Sequence, residues 1–387
     1  MATRPASAEP LARPPEARAD TWRMVDREWE EFGGAEQQSR WDALAERAAE
    51  PNPFFESWYL LPSLRMFDPR RRVRLLCLES EGQLAAVMPL RRDLAYYQYP
   101  FPQWSTWIHS NCFLGSPLVA RGFETAFWRE LFDWLDGNAG PALFLHLTHV
   151  PLQGALWDAL KAVCSKDGRE AWLVKREERA MLASELAPAD YFEAALGAKK
   201  RKELRRQRRR LEEEGRFEVC RSIDSEGLET WIDEFLALER SGWKGAEGSA
   251  LASSPGTEAL FRHAIDGAAA RGKLERLGLR IDGEPVAMLA SFLTPPGAFS
   301  YKTAFDERYS RYSPGVLLQR ENLAVLERPG IEWTDSCAAA DHPMIDHLWT
   351  ERRPIGRVNI ALGGPKRRTL FRALARRETG RTAGDLE

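Results

Sequence analysis

Cysteine is scarce and follows no metal or redox spacing. Five cysteines (Cys77, Cys112, Cys164, Cys220 and Cys337) are scattered through 387 residues, and no CxxC occurs. That spacing excludes a zinc ribbon and a thioredoxin-type site. A reducing cytoplasm is the compartment the set suggests. Charge of one sign is also lacking. The formal net charge is -2, so no global bias toward nucleic acid or anionic membrane exists. Long apolar runs are absent. Leu84–Leu90 and Val286–Leu293 are strand-sized, far below the roughly 20 residues of a spanning helix. GxSxG and GxGxxG do not occur, which leaves a serine-hydrolase elbow and a dinucleotide fingerprint unsupported. The first residues, to about Ala19, are rich in Ala, Pro, Arg and Glu. They lack the apolar core of a secretory signal and read as a disordered leader over 1–20.

The chain is 44% hydrophobic and 29% charged, ordinary for a globular protein. Its length suggests two domains and allows a core with no disulfide or metal staple. A weak repeat of pattern sets the architecture. In the first half, Trp41–Ala49 and Phe54–Phe67 read as helices, followed by strands at Arg74–Glu79 and Leu84–Leu90 around Glu81-Gly82. Phe123–Leu135 then reads as a helix and Ala142–Leu147 as a strand. In the second half, Leu228–Ser241 and Thr257–Arg271 read as helices, and Arg276–Ile281 and Pro285–Leu293 as strands around Asp282-Gly283. Val316–Glu327 is the next helix, Ile331–Ser336 the next strand, and Arg357–Leu362 the final strand. Gly in such turns accepts the positive φ a tight hairpin needs. The expected fold is α/β (α+β), two tandem copies of one unit, each a mixed central sheet flanked by helices, joined near Ala180–Asp190.

Nine of the twelve residues Lys199–Arg210 are Lys or Arg. The stretch is helical by propensity and ends toward Gly215, with Leu196, Lys200, Leu204, Gln207 and Leu211 on one narrow face. The remaining surface is a solvated cationic face, or a contact for an anionic partner: tRNA, a carrier protein or a lipid surface. Aromatic interleaving is absent, which disfavours single-strand stacking.

The strongest constellation follows the alternating strand Ala298–Phe305. Asp306-Glu307 ends it, and Tyr309-Ser310-Arg311-Tyr312-Ser313-Pro314-Gly315 leads into the helix from Val316. Ser313 suits the N-cap and Pro314 the first helical position. A strand, a tight loop and a helix amino end form a site for an anion, and Gly315 lets a ligand approach the backbone. Further on, Asp335 ends a strand, and Asp341, His342, Asp346 and His347 follow. A metal reading of that group lacks a third strong ligand. His109-Ser110-Asn111-Cys112 is suggestive of nucleophile chemistry, but strand neighbours point apart. Of the fourteen tryptophans, Trp104, Trp107, Trp128 and Trp134 lie in the first half near Tyr96, Tyr97, Tyr99 and Phe101. Core packing is the plainer reading of these, and stacking on a sugar or flat ligand the other.

Taken in order, the basic run Lys199–Leu211, Trp243-Lys244-Gly245, Asp282–Ala287, Tyr301–Asp306 and Tyr312–Leu318 resemble the Gcn5-related N-acetyltransferase (GNAT) superfamily. The likeness is closest to its CelD/BcsL-type acyltransferases, relatives of the FemABX peptidyltransferases. The resemblance implies lobes at 21–185 and 186–387, the first a degenerate copy. It implies a sheet that splays at the strand before the loop, with acetyl-CoA or another acyl-CoA as co-substrate. Lys302, Arg311, Ser313, Gly315, Val316, Leu317 and Leu318 would hold the donor. Tyr309 or Tyr312 would protonate the leaving thiolate. Asp306, Asp335 or His342 would act on the acceptor, an amine-bearing small molecule or sugar, in polysaccharide or cell-envelope metabolism. A FemABX-like transfer from aminoacyl-tRNA, with the basic helix on RNA, is the alternative. A non-catalytic binding or assembly protein on the same fold is a third reading. This loop departs from the usual family pattern: Arg311 is followed by a single glycine, and Pro314 removes one amide donor.

Overall fold

The computed structural model describes residues 22–386 apart from 341 and 343, so the leader read over 1–20 and Asp341 lie outside the described residues. The first half runs β1 (Arg23–Arg27), α1 (Ala35–Glu46), α2 (Ser57–Phe67), β2 (Val73–Ser80), β3 (Gln83–Asp93), β4 (Gln103–Thr106), β5 (Leu118–Val119), α3 (Glu124–Asn138), β6 (Phe144–Pro151), α4 (Ala155–Lys166) and β7 (Ala171–Leu182). The second half runs α5 (Pro188–Ala195), α6 (Ala198–Glu212), β8 (Phe217–Ser222), α7 (Leu228–Ser241), α8 (Trp243–Ala246), α9 (Pro255–Ala269), β9 (Leu274–Ile281), β10 (Glu284–Thr294), β11 (Gly297–Phe305), α10 (Pro314–Asn322), β12 (Trp333–Asp335), β13 (Glu351–Ala361) and α11 (Pro365–Thr379). Among the described residues, no helix is long and apolar enough to cross a membrane.

The two hairpins form as their turns require. Glu81 and Gly82 have φ of 47° and 79°, and Asp282 and Gly283 have 51° and 84°. This twist lets Ser80 pair with Gln83 and Ile281 with Glu284 across two-residue loops. The helix expected over Val316–Glu327 is α10 followed by a 3-10 turn at Leu323–Glu327.

The α/β class and the repeated unit stand, and the two mixed sheets run into one of thirteen strands. Its order is β1-β2-β3-β4-β6-β13-β7-β12-β11-β10-β9-β8, with β5 beside β3. The order is symmetric about its centre. β13, the last strand of the second half, pairs antiparallel with β6 of the first, and β7 of the first pairs with β12 of the second. β7 and β13 pair with each other along most of their length. The charged middle of β7 (Lys175–Glu178) is largely exposed, which hides the strand from a hydrophobic-pattern reading.

The halves also pack helix on helix. α2 lies against α9, and Gly267 of α9 makes this possible, because a Cβ there would come within 2.9 Å of the Trp58 Cβ. Beneath them Phe54, Tyr59, Phe292, Phe299 and Tyr301 form one aromatic cluster drawn from both halves. Phe292 and Tyr301 are stacked with centroids 4.5 Å apart, and Phe54 meets Phe299 edge-on at 5.8 Å. Each such buried side chain stabilises the fold by about 1.5–3 kcal/mol through lost water contact.

Candidate active site

The sheet opens at two places, one in each half. β4 pairs parallel with β6 only over Gln103–Ser105, and β11 pairs parallel with β12 only over Gly297–Phe299. Beyond those residues the neighbouring strands part. In the first half the chain itself fills the gap: the Gly115 amide donates to the His149 carbonyl at 3.0 Å, and a Cβ at Gly115 would fall on the Thr148 carbonyl oxygen. In the second half, Ser300–Phe305 pair with β10 alone, and the opening beside them is bordered by side chains.

α10 begins at this opening. Pro314 occupies its first position, as the sequence indicates. Ser313 is the N-cap residue, but its φ is 53° and its side chain makes no cap bond. Its carbonyl accepts from Val316 and Leu317 at 3.0 and 3.1 Å. The Gly315 amide has no acceptor among the described residues. A Cβ on Gly315 would stand 2.5 Å from the Met344 sulfur and 3.5 Å from Phe305, so glycine here lets an unbranched, adaptable side chain seat against the helix start. Leu317 and Leu318 are fully buried and anchor the helix, while Val316 is half-buried.

Lys302 stands on the part of β11 beyond its pairing with β12. Its Nζ donates to Asn111 Oδ1 at 2.7 Å and lies 5.1 Å from the centre of the Phe113 ring. Burial, then the nearby positive charge of Lys244, lowers its pKa from 10.5 to about 8. Lys244 donates to Glu239 Oε1 at 2.7 Å and to the Thr303 carbonyl at 3.3 Å. Burial, with Lys302 adding to it, pushes the His109 pKa down to about 3, so that ring is neutral. His109 stacks on Tyr59 (6.2 Å, 7°) and its Nε2 meets Ser63 Oγ at 3.1 Å. Tyr59 OH donates to the Asn111 carbonyl and lies 3.2 Å from Tyr301 OH. Burial raises the Cys337 thiol well above its usual value, so that sulfur is protonated. Burial also lowers the pKa of half-buried His342, against a smaller opposing pull from Asp346.

The other residues singled out in the sequence take different surroundings. Asp306 accepts from the Arg308 amide at 2.9 Å and from its guanidinium at 2.6–3.1 Å. Burial would raise its pKa, but the Arg308 bonds more than offset that and hold it low. Tyr312 OH donates to Glu214, just past α6, and Arg311 pairs with the same carboxylate at 2.8 Å. Tyr309 is half-buried with its ring 6.4 Å from that of Tyr312. Asp335 has no exposed surface. It lies 3.4 Å from Arg179 and 3.1 Å from Arg353, and accepts from the Cys337 amide at 2.8 Å. Lys302 thus stands on the stretch of β11 that β12 leaves unpaired, among Asn111 and Phe113, and Gly315 stands at the start of α10 against Met344 and Phe305. Asp335 lies apart at the sheet centre, and Arg311 and Tyr312 face α6.

Lys244, Glu239, Asn111 and Cys337 were not read as site residues in sequence. Asn111 lies 191 residues before Lys302, and no local pattern links such a pair. Lys244 lies in the Trp243-Lys244-Gly245 motif, and only its place beside β11 shows what it does.

The basic helix packs along the loop and α10. Gln207 Nε2 donates to the Arg311 carbonyl at 3.5 Å, and Arg208 pairs with Glu321 of α10 at 2.8 Å. Leu204 and Leu211 anchor α6 and are fully buried. Lys199, Lys200, Lys202 and Arg210 are exposed and form no ion pair among the described residues.

Residues 198–343, which hold α6, β11, the loop and α10, match a family model described as an acetyltransferase (GNAT) domain. Solved structures resemble the whole fold. One is described as FemX, with a TM-score of 0.52 and 10% identity, over 87% of this chain and 98% of that one. Another is the C-terminal domain of a putative lysylphosphatidylglycerol synthetase from Agrobacterium fabrum, with a TM-score of 0.52 and 14% identity, over 88% and 97%. A third is a protein of unknown function from Bacteroides thetaiotaomicron, with a TM-score of 0.52 and 11% identity, over 84% and 97%. At these identities the likeness is one of fold. No curated protein matches the chain in sequence. The matched stretch spans the strand-loop-helix unit, and β7, which pairs with β12, comes from the other half.

Proposed function

We propose that the protein is an acyl-CoA-dependent N-acyltransferase, with the donor held at the β11–α10 opening and an amine acceptor reaching it from the side of the first half. The lobes divide the sequence near residue 185 with their last strands exchanged, the first lobe being a degenerate copy. The observation that carries this reading is the opening itself. Lys302 stands on the stretch of β11 that β12 leaves unpaired, the free Gly315 amide opens the helix that follows it, and cationic α6 packs along that helix, whereas the first-half gap is plugged by backbone.

The residues present suit an anionic thioester. The Gly315 amide and the amino end of α10 favour a pyrophosphate. Lys302 uses one of its three donors, and Met344 can change rotamer to clear the helix start. In this reading the acceptor nitrogen attacks the thioester carbon, the carbon–sulfur bond breaks, and the ammonium proton passes to a base. His342 is the base: its lowered pKa keeps it neutral at pH 7. A backbone amide of β11 polarises the thioester carbonyl. The leaving thiolate takes a proton from Tyr309, since Tyr312 is committed to Glu214. Lys302 and Lys244 hold an anionic group of donor or acceptor.

Calorimetric titration with acetyl-CoA, longer acyl-CoAs and free CoA tests this. Binding that is lost in Gly315→Val supports the donor site, and thiol release then screens amines and amino sugars. Failure of all three ligands to bind overturns it. The unpaired Lys199, Lys200, Lys202 and Arg210 favour a second reading, transfer from aminoacyl-tRNA. Salt-sensitive tRNA binding by a protein that ignores CoA would establish that reading instead.

A further inference from the structure

A second cavity lies away from the acyl-transfer opening and shares no residue with it. It has a volume of about 560 Å³ and is walled by the loop after β3, by β6 and β13, and by α11. Its size falls in the range of small-molecule sites. Two large aromatics at its mouth, Tyr97 and Tyr99, are 61% and 52% exposed. Exposed rings of this size beside a cavity mark a surface that meets a ligand. The Tyr99 and Phe101 rings are nearly parallel (18°), with centroids 6.1 Å apart.

One wall is polar and tightly organised around Glu378, which is itself exposed. Asn359 is 2% exposed. Its Nδ2 donates to Tyr96 OH at 3.1 Å and to Glu378 Oε2 at 3.2 Å. Tyr96 OH donates to Glu378 Oε1 at 2.6 Å. Asn359 Oδ1 meets His146 Nδ1 at 2.6 Å, which fixes the amide orientation. Each Glu378 oxygen keeps accepting capacity for another hydroxyl. The charged lining residues are Glu378 and Arg377, of opposite sign, and the Arg357 guanidinium is held at the mouth by its bond to Tyr97 OH at 2.8 Å.

We propose that this cavity is a binding site for a neutral pyranose sugar. A pyranose has an apolar C–H face that packs on an aromatic ring and a rim of hydroxyls that both donate and accept. The cavity offers flat rings at its mouth and the accepting oxygens of Glu378, which Asn359 and Tyr96 hold in place. A cationic ligand would suit the aromatic rings and Glu378, but Arg377 opposes it. The inference does not rest on the acyl-transfer reading, since the two sites have separate walls.

The test uses the full chain and saturation-transfer NMR with calorimetry. The probes are the methyl glycosides of glucose, galactose, mannose and N-acetylglucosamine, cellobiose, tetramethylammonium and adenosine. At least one saccharide binds. Tyr99→Ala weakens it tenfold or more, and Glu378→Gln weakens it with a dependence on which hydroxyl is present. Tyr99 is half exposed and its backbone bonds to Tyr96 survive the change, so this variant keeps its thermal midpoint. Tighter binding of cellobiose than of the glucoside assigns the site to a glycan chain, and equal affinity assigns it to a free sugar. The proposal is overturned if no saccharide binds, if tetramethylammonium or adenosine binds in their place, or if Tyr99→Ala leaves saccharide affinity unchanged.

Discussion

Replacing Lys302 with methionine probes the most unusual charge in the candidate site. The lysine pKa falls from 10.5 to about 8, first through burial and then through Lys244. At about 1.36 kcal/mol per pKa unit, keeping this ammonium charged in the folded protein costs about 3 kcal/mol relative to the unfolded chain. Solvent reaching the partly exposed side chain reduces that figure. The folded value lies below the unfolded one, so between pH 8 and 10.5 the unfolded chain binds more protons and stability rises with pH. The penalty is fully present below pH 8 and is relieved above it. Lys302→Met lacks this dependence. It also leaves the Asn111 oxygen without its donor, which costs about 1–3 kcal/mol at every pH. The diagnostic is therefore the slope and not the offset. Guanidinium unfolding of both proteins is expected to show the wild type gaining about 2 kcal/mol relative to Lys302→Met between about pH 7.5 and 9.5. Groups away from this interior are the same in both proteins, and their contributions cancel. Parallel pH profiles would refute the reasoning, because the Lys302 ammonium would then be hydrated in the folded state much as in a peptide.

Other expectations test the frame and the surface around that site. Asp335→Asn leaves Arg179 and Arg353 without their buried counter-charge and is expected to cost about 3–5 kcal/mol, read as a lower denaturation midpoint. Gly115→Ala drives a methyl group into the Thr148 carbonyl, which backbone movement must relieve, at about 1–3 kcal/mol or more; an unchanged melting temperature would contradict the plugged first-half gap. Tyr312→Phe removes only the bond to Glu214 on the surface, and thermal melting is expected to shift little. The combined changes Lys199→Gln, Lys200→Gln and Lys202→Gln are expected to leave stability within about 0.5 kcal/mol. The same variant should weaken an anionic donor several-fold and flatten its salt dependence, measured by titration at two ionic strengths.

Much of the fold could be read locally because its signals are local. The Glu81-Gly82 and Asp282-Gly283 turns and the apolar runs beside them locate two hairpins, and the spacing over Leu228–Ser241 matches α7 residue for residue. Pro314 marks the start of α10 for the same reason: a fixed φ and a missing N–H suit that position alone. β7 carried no such signal, since its charged middle faces water and its identity as a strand comes from β13. The loop before α10 is legible in sequence, but the surroundings of Lys302 are not. Lys302 alternates with Tyr301 along a strand, and nothing nearby indicates that its ammonium meets Asn111.

By itself, then, the sequence determined the α/β class, the repeated order of elements, the basic helix and the strand-loop-helix unit. All of these depend on residues within a turn or two of one another. Tertiary structure alone decided that the last strands of the two halves change places, that the first gap is closed by Gly115 and the second left to side chains, and that Lys302, Lys244 and His109 share one interior. Those outcomes rest on contacts between residues far apart in the chain. Such pairings are chosen by the packing of whole faces, which no short stretch of sequence encodes.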